Sequence, residues 1–240
     1  MCSYLYRVYV LKQMVIRIFM SGPIRPSEYS VRKAIYAIRS EFPDGILYLC
    51  VWKTTEDTTE LREIVDHYVE VDEPIFEDVK RQITVSTLTD NRPDCAPVGW
   101  PIQCYKMMLG VNTLCDYAQA EDNDIIVRVR TDSVFRFRES VHRQIMNSVP
   151  HGYITWFAGM SGVNFTDWFA IATYENFKKG WRFANMEEYN VLLENRYNPE
   201  DVVKANLLRN GVHIIPLDMS KTECYLMRKN ENGELVEKFC

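Results

Sequence analysis

Between Val15 and Trp52 the chain reads as strand, helix, strand, an order that leaves few folds open. Val15–Met20 is apolar and β-branched, and it stops in the Gly/Pro turn Ser21-Gly22-Pro23-Ile24-Arg25-Pro26. Ser30–Phe42 carries Val31, Ala34, Ile35 and Ile38 at helical spacing and is closed by Pro43-Asp44-Gly45. Ile46–Trp52 is the next apolar run. A strand, a helix and a strand over so short a span form a βαβ unit, which packs with a right-handed crossover and predicts a parallel sheet. These strands are apolar without alternation, as strands covered on both faces are.

Asp124–Phe135 is the second constraint, because an apolar strand runs there into a cluster of charges. Ile125, Val127 and Val129 share one face at period two. Arg128, Arg130 and, if the chain stays extended, Asp132 share the other. Ligands of open α/β sheets lie outside the carboxyl ends of the strands. This end is therefore a candidate site for an anionic, metal-bound or sugar-bearing ligand. A surface ion pair closing an ordinary strand is the alternative.

The rest of the chain fits around these two stretches. Thr58–Asp66 reads as a short helix and Tyr68–Val71 as a strand, followed by Asp72-Glu73-Pro74, whose acids could hold a base or ribose or belong to a solvated loop. From Asp78 to Pro101 the signals are mixed, with Asp90–Asp94 and Ala96-Pro97 marking a loop of a length that is often functional. Trp100–Ala120 is the longest helix, and its stripe of Ile102, Tyr105, Met108, Leu109, Leu114, Cys115 and Ala118 reads as core. Glu139–Ser148 is helical and Gly152–Gly159 is a strand. In Asn164–Ile171, Asp167 stands beside Trp168, where an aromatic face can stack on a sugar ring and a carboxylate can bond its hydroxyls; a helix N-cap is the other reading of Asp167. Tyr174–Trp181 and Met186–Asn195 are helical. Asn198 caps a helix opened by Pro199 and stopped by Gly211, Val212–Leu217 is a late strand, and Cys224–Lys229 with Leu235–Phe239 form a hairpin at an edge.

With 240 residues, 47% hydrophobic and 25% charged, the chain is expected to form one domain around a real core. The net charge of −5, without blocks of like charge, argues against nucleic acid as a partner. Seven scattered cysteines without a Cys-x-x-Cys pair point to neither a disulfide framework nor zinc and fit a reducing, cytoplasmic setting. Met1–Met20 is broken by Arg7, Lys12 and Arg17, so it lacks the ~20 uninterrupted apolar residues of a transmembrane segment.

Several of these segments resemble, in order, the WavE-like lipopolysaccharide-synthesis glycosyltransferases and related short glycosyltransferases of bacteria and large DNA viruses. Ser21-Gly22-Pro23-Ile24-Arg25 looks like their first strand and phosphate-side loop. Gln103-Cys-Tyr-Lys106 through Asp132 looks like their long helix and the strand ending in Arg-x-Asp. Asp167-Trp-Phe-Ala-Ile171 and Asn198-Pro-Glu200 through Gly211 resemble the acceptor-side segment and the Pro-Glu helix, so that the likeness spans roughly residues 14–218.

The resemblance implies an α/β, GT-A-like fold, a single domain with a mainly parallel central sheet flanked by helices. Residues 14–132 would form the nucleotide-sugar-binding half, 133–220 the acceptor-side half and 221–240 a C-terminal hairpin. The implied activity moves a sugar from a nucleotide-sugar donor to a saccharide or glycan acceptor. Donor-binding residues would be Ser21, Gly22, Arg25, Arg128, Arg130 and Asp132, with the guanidinium groups on the diphosphate. Most GT-A enzymes use Asp-x-Asp to hold Mn²⁺ or Mg²⁺; Arg130-Thr131-Asp132 keeps one carboxylate, so either Asp132 binds the cation or Arg25 and Arg130 offset the charge without it. His213 is the candidate late metal ligand. Asp167 and Trp168 would face the acceptor, with Asp167 the general base of an inverting transfer. Exchanging Asp132 for Asn is then expected to abolish transfer with the melting temperature held within a few degrees. A sugar-nucleotide-forming nucleotidyltransferase and a non-catalytic sugar-binding protein are the rival classes.

Overall fold

Strand β1 (Ile16–Ser21), helix α1 (Glu28–Glu41) and strand β2 (Ile46–Trp52) form the expected βαβ unit, with β1 and β2 parallel. The computed structural model describes residues 14–84, 100–158, 164–193, 199–217, 222–230 and 232–239. Helix α2 (Thr59–Ile64) leads into β3 (His67–Val71), and α3 (Phe76–Gln82) takes up part of the stretch with mixed signals. Asp90–Asp94 and the Asn198 cap lie outside the described residues. The long helix is α4 (Trp100–Ala118), followed by β4 (Ile125–Arg130), β5 (Ser133–Phe137), α5 (Glu139–Ser148), β6 (Tyr153–Ala158) and β7 (Asn164–Thr173). Helices α6 (Tyr174–Trp181), α7 (Met186–Leu193) and α8 (Pro199–Arg209) precede β8 (Ile214–Pro216), β9 (Thr222–Lys229) and β10 (Leu235–Phe239).

Among the described residues seven strands make one sheet in the order β3-β2-β1-β4-β7-β6-β8. The pairs β3-β2, β2-β1, β1-β4 and β6-β8 are parallel, and β7 runs antiparallel to both β4 and β6. The fold is thus α/β with a mainly parallel sheet, and β4 lies inside it between β1 and β7. The unbroken apolar strands follow from burial on both faces. Phe19, Tyr48 and Ile126 pack under α3, α4 and α6 to α8, whereas Ile18, Met20, Leu49, Val127 and Val129 pack under α1, α2, α5, β5 and β9. No helix among the described residues is long and apolar enough to cross a membrane.

Two expectations are corrected. The chain does not stay extended past Arg130; Thr131 and Asp132 turn, and β5 leaves the main sheet to pair with β9. The C-terminal hairpin forms as expected and lies at the edge of a second, three-stranded sheet in the order β10-β9-β5. Asp167 is not a helix cap. It lies within the ten-residue strand β7.

At the end of the sheet where β1 and β4 begin, Asp124 ties the two strands together. Its carboxylate accepts from Arg17 Nε at 2.7 Å and from the backbone N–H groups of Glu121 and Val15 at 3.1 and 3.3 Å. Arg17 also donates to the Tyr48 hydroxyl at 2.6 Å. Burial pushes the Asp124 carboxyl up, but the Arg17 guanidinium and the backbone donors outweigh it and hold it below its ordinary value. A depressed carboxyl contributes stability that is complete above its unfolded pKa and lost as pH falls through its folded one. Asp124→Ala is expected to cost on the order of 3 kcal/mol at neutral pH, seen as a lower denaturant midpoint with an unchanged m-value, and progressively less at strongly acidic pH.

Candidate functional site

Strand order places a crevice at the carboxyl ends of β1 and β4, because the chain winds from β1 outward to β3 and then returns to β4 on the other side. Crevices at such reversals are where open α/β sheets bind ligands. Here it is a cavity of about 540 Å³. Ser21 and Gly22 from the end of β1, Trp52 from β2 and Gln103, Lys106 and Met107 from α4 form one part of its wall. Arg25, Arg128, Arg130, Asp167 and Glu200 form another.

Gly22 and Gly110 permit the close packing at this end. Gly22 has φ +145°, a left-handed conformation, and a Cβ there would lie 3.0 Å from Thr131 Oγ1. The Thr131 hydroxyl in turn donates to the Pro23 carbonyl at 2.8 Å, pinning the loop after β1 onto the turn after β4. A Cβ on Gly110 would sit 3.1 Å from Ser21 Cβ, so glycine lets α4 approach the end of β1.

Arg128 is the most unusual residue of the cavity. Its side chain is wholly buried, and among the described residues none of its three guanidinium nitrogens has a hydrogen-bond acceptor. Asp167 Oδ2 lies 3.8 Å away, beyond hydrogen-bonding distance. The guanidinium carbon sits 4.6 Å from the centre of the Trp181 ring, a cation–π contact. Trp181 is fixed by donating its indole N–H to the Tyr153 hydroxyl at 2.7 Å. Burial lowers the pKa of Arg128, yet a guanidinium remains charged in proteins, so a buried cation is held at the cavity wall with Asp167 close to it but not hydrogen-bonded. A buried charge of this kind costs several kcal/mol unless an opposite charge arrives. Ser21 Oγ, buried on the same wall, also lacks a partner among the described residues.

Arg130 faces two carboxylates. Its Nε and Nη2 donate to Asp132 at 3.0 and 2.9 Å, and Nη1 is 3.7 Å from Asp167. Asp132 itself lies behind the cavity, not on its wall, with its side chain 1% exposed. Arg228 of β9 donates to it at 2.6 Å, and Arg25 Nε stands 3.4 Å away. Burial pushes the Asp132 carboxyl up, but Arg130 and Arg228 more than reverse this and hold it below its usual value. The turn after Arg130 thus moves Asp132 from the expected ligand-facing position to a hub joining the loop after β1, the end of β4 and β9.

Asp167 reaches the cavity through an irregularity in β7. Thr155 pairs with Ala170, but two residues on, Phe157 pairs with Phe165, so β7 carries extra residues in between. The Thr155 hydroxyl lies 3.1 and 2.9 Å from the carbonyls of Thr166 and Phe169 and bridges this bulge. A bulge breaks the alternation of faces. Asp167 therefore turns to the Arg128 side, whereas regular alternation would group it with Phe169 and Ile171. Trp168 turns the other way and packs into the opposite core layer, away from the cavity.

Three acids and four bases share the wall. Lys106 donates to Glu73 at 2.6 Å, so Glu73, one of the acids noted after β3, does reach the cavity. Glu200, in the first turn of α8, contacts Asp167; burial and the charge of Asp167 push its carboxyl up to about 7. Arg25 is half exposed, and its partial desolvation lowers its basicity, an effect partly offset by Asp132. Among the described residues, no three His, Cys, Asp or Glu side chains come together as a set that could hold a metal ion. The oxygens of Asp132 are engaged by arginines, and His213 is exposed beside β8, away from the cavity. These side chains do not fit a dedicated Mn²⁺ or Mg²⁺ site.

Glu200, Lys106, Trp52, Trp181 and Arg228 carried no signal as site residues. An acid in the first turn of a helix is ordinary helix chemistry, and an aromatic residue within an apolar strand or helix does not stand out from the core.

No family model matches the chain, and no curated protein sequence matches it. Among solved structures it is similar to the galactosyltransferase LgtC in complex with donor and acceptor sugar analogues, at 10% identity and TM-score 0.48, covering 84% of this chain and 73% of that one. A protein of Desulfovibrio desulfuricans G20, provisionally described as a nucleotide-diphospho-sugar transferase, matches at 7% identity and TM-score 0.43 over 85% and 80% of the two chains. A 4-diphosphocytidyl-2C-methyl-D-erythritol synthase matches at 10% identity and TM-score 0.44 over 88% and 92%. At these values the matches describe the course of the chain and say nothing of its chemistry.

Proposed function

We propose that the protein is a glycosyltransferase that binds a nucleotide-sugar in the crevice between β1 and β4. The observation that supports this reading is the buried Arg128, which lacks a hydrogen-bond acceptor among the described residues in a cavity that also holds Arg130 and Arg25. Guanidinium groups present forked donors that match phosphate oxygens. A diphosphate lying between Arg25, Arg128 and Arg130 would supply the hydrogen-bond acceptors that Arg128 lacks among the described residues, and Ser21 Oγ would add a donor. Trp52 and Met107 give the apolar wall on which a ring can lie, and about 540 Å³ is within the usual range for small-molecule sites.

As the bond between the anomeric carbon and the diphosphate breaks, charge builds on the leaving phosphate oxygens. Arg128 and Arg130 meet that charge from fixed positions in a poorly solvated wall, the electrostatic help a divalent cation gives in other transferases. The motif likeness to the WavE-like glycosyltransferases agrees with a glycosyl transfer. The loop Ser21-Gly22-Pro23 is too short and poor in glycine for the usual phosphate loop of a nucleotidyltransferase.

The test is thermal unfolding with a panel of UDP-, GDP- and dTDP-sugars, followed by assay of released nucleoside diphosphate. A ligand at a hundred times its dissociation constant stabilises by about 2.7 kcal/mol, which for a chain of this size raises Tm by roughly 5–10 °C. Transfer or slow hydrolysis of the same donor is expected. A panel that neither shifts Tm nor loses its sugar removes the proposal.

A further inference from the structure

The geometry points to Glu200 as the general base of this transfer, with Asp167 as its electrostatic neighbour. The inference rests on the nucleotide-sugar reading above and assigns the proton that an attacking hydroxyl must lose. Both carboxyl groups line the cavity, from β7 and from the first turn of α8. Their surroundings separate their roles.

Asp167 stands between two cations, 3.8 Å from Arg128 and 3.7 Å from Arg130. A carboxylate so placed is engaged by two guanidinium groups and is not free to meet an attacking hydroxyl. Glu200 has the opposite environment: burial, then the charge of Asp167, favour its protonated form, while Arg130 opposes them only in part. Its pKa of about 7 suits a base working near neutral pH. The charged groups that act on it are Asp167 from β7 and Arg130 from β4, and Arg128 and the Lys106–Glu73 pair line the same cavity. Cys104 of α4, also electrostatically linked to Glu200, is pushed up to about 12 by burial and stays a neutral thiol.

In the step itself, an acceptor hydroxyl or water attacks the anomeric carbon and gives its proton to the ionised Glu200. The new carbon–oxygen bond forms as the bond to the diphosphate breaks. The nucleoside diphosphate leaves with the electron pair against Arg128 and Arg130, and Glu200 later releases the proton to solvent.

The experiment uses the full chain, the nucleotide-sugar with the largest thermal shift and water as acceptor. Glu200→Gln is expected to keep the donor-induced shift and to lower kcat about 10²–10⁴-fold, with KM changed little, and Glu200→Asp is expected to restore part of kcat. Wild-type kcat should fall as pH drops below about 7. Asp167→Asn removes the charge that, after burial, raises Glu200 most, so it should keep measurable turnover and move this acid limb partway to lower pH. Full turnover in Glu200→Gln overturns the assignment, as does an Asp167→Asn variant that binds donor but is inactive at every pH. If wild type binds no nucleotide-sugar, the transferase reading falls and takes this one with it; if wild type turns over and Glu200→Gln does too, only the base is lost.

Discussion

Asp132→Asn is expected to lower the stability of the fold by roughly 3–5 kcal/mol, because removing one member of a buried ion pair leaves the other charge uncompensated. In this protein the partner most affected is Arg130, whose side chain is 17% exposed, whereas Arg228 at 36% and Arg25 at 53% keep part of their solvation. Arg130 loses a two-pronged acceptor, Arg228 loses its 2.6 Å contact, and Arg25 loses a carboxylate 3.4 Å away. Asparagine offers one acceptor oxygen and no charge, and its amide N–H₂ points donors at donors. At about 2–4 °C per kcal/mol for a chain of this size, Tm should fall by roughly 6–20 °C. Turnover should fall with it, since Arg25 and Arg130 would no longer be held at the cavity wall. The expectation from sequence was different, namely lost transfer with an almost unchanged Tm. A melting curve within a few degrees of wild type, with activity abolished, would return Asp132 to the ligand.

That contrast shows what a sequence carries and what it does not. The strands Ile16–Ser21, Ile46–Trp52 and Ile125–Arg130, with the helix after the first, were legible because runs apolar on both faces have few places to go except the middle of a layered sheet. The carboxyl end of β4 was legible as a charged end for the same reason. Which way each charge points was not. The face of Asp132 depended on whether the chain stayed extended for two more residues. The face of Asp167 depended on the extra residues of β7 beyond Ala170, and this bulge exchanges the sides that Asp167 and Trp168 face. Glu200 was harder still. It is remote in sequence, and its partner Asp167 reaches it only through the packing of α8 against β7. Neither property leaves a mark on a helix that begins Pro-Glu.

Replacing Arg128 with methionine is expected to stabilise the ligand-free protein and to destroy its response to ligand. Methionine is of similar length, unbranched and able to fill the slot against Trp181. It removes a wholly buried cation without a hydrogen-bond acceptor among the described residues. Apolar replacement of buried ionic groups stabilises other proteins by roughly 1–4 kcal/mol, and a site arranged for function commonly gives up stability for it. The loss for Asp167 is limited, because Arg130 remains 3.7 Å away and Glu200 can share its proton. Tm without ligand should therefore rise by several degrees, at about 2–4 °C per kcal/mol. The nucleotide-sugar that stabilises wild type should then give almost no shift, since a phosphate in this wall would meet a thioether where a guanidinium stood. Parallel melts of wild type and Arg128→Met, each with and without donor, read both effects at once. A variant that melts lower than wild type and keeps its donor shift would show that Arg128 serves the fold, and the phosphate site would have to be sought around Arg25 and Arg130 alone.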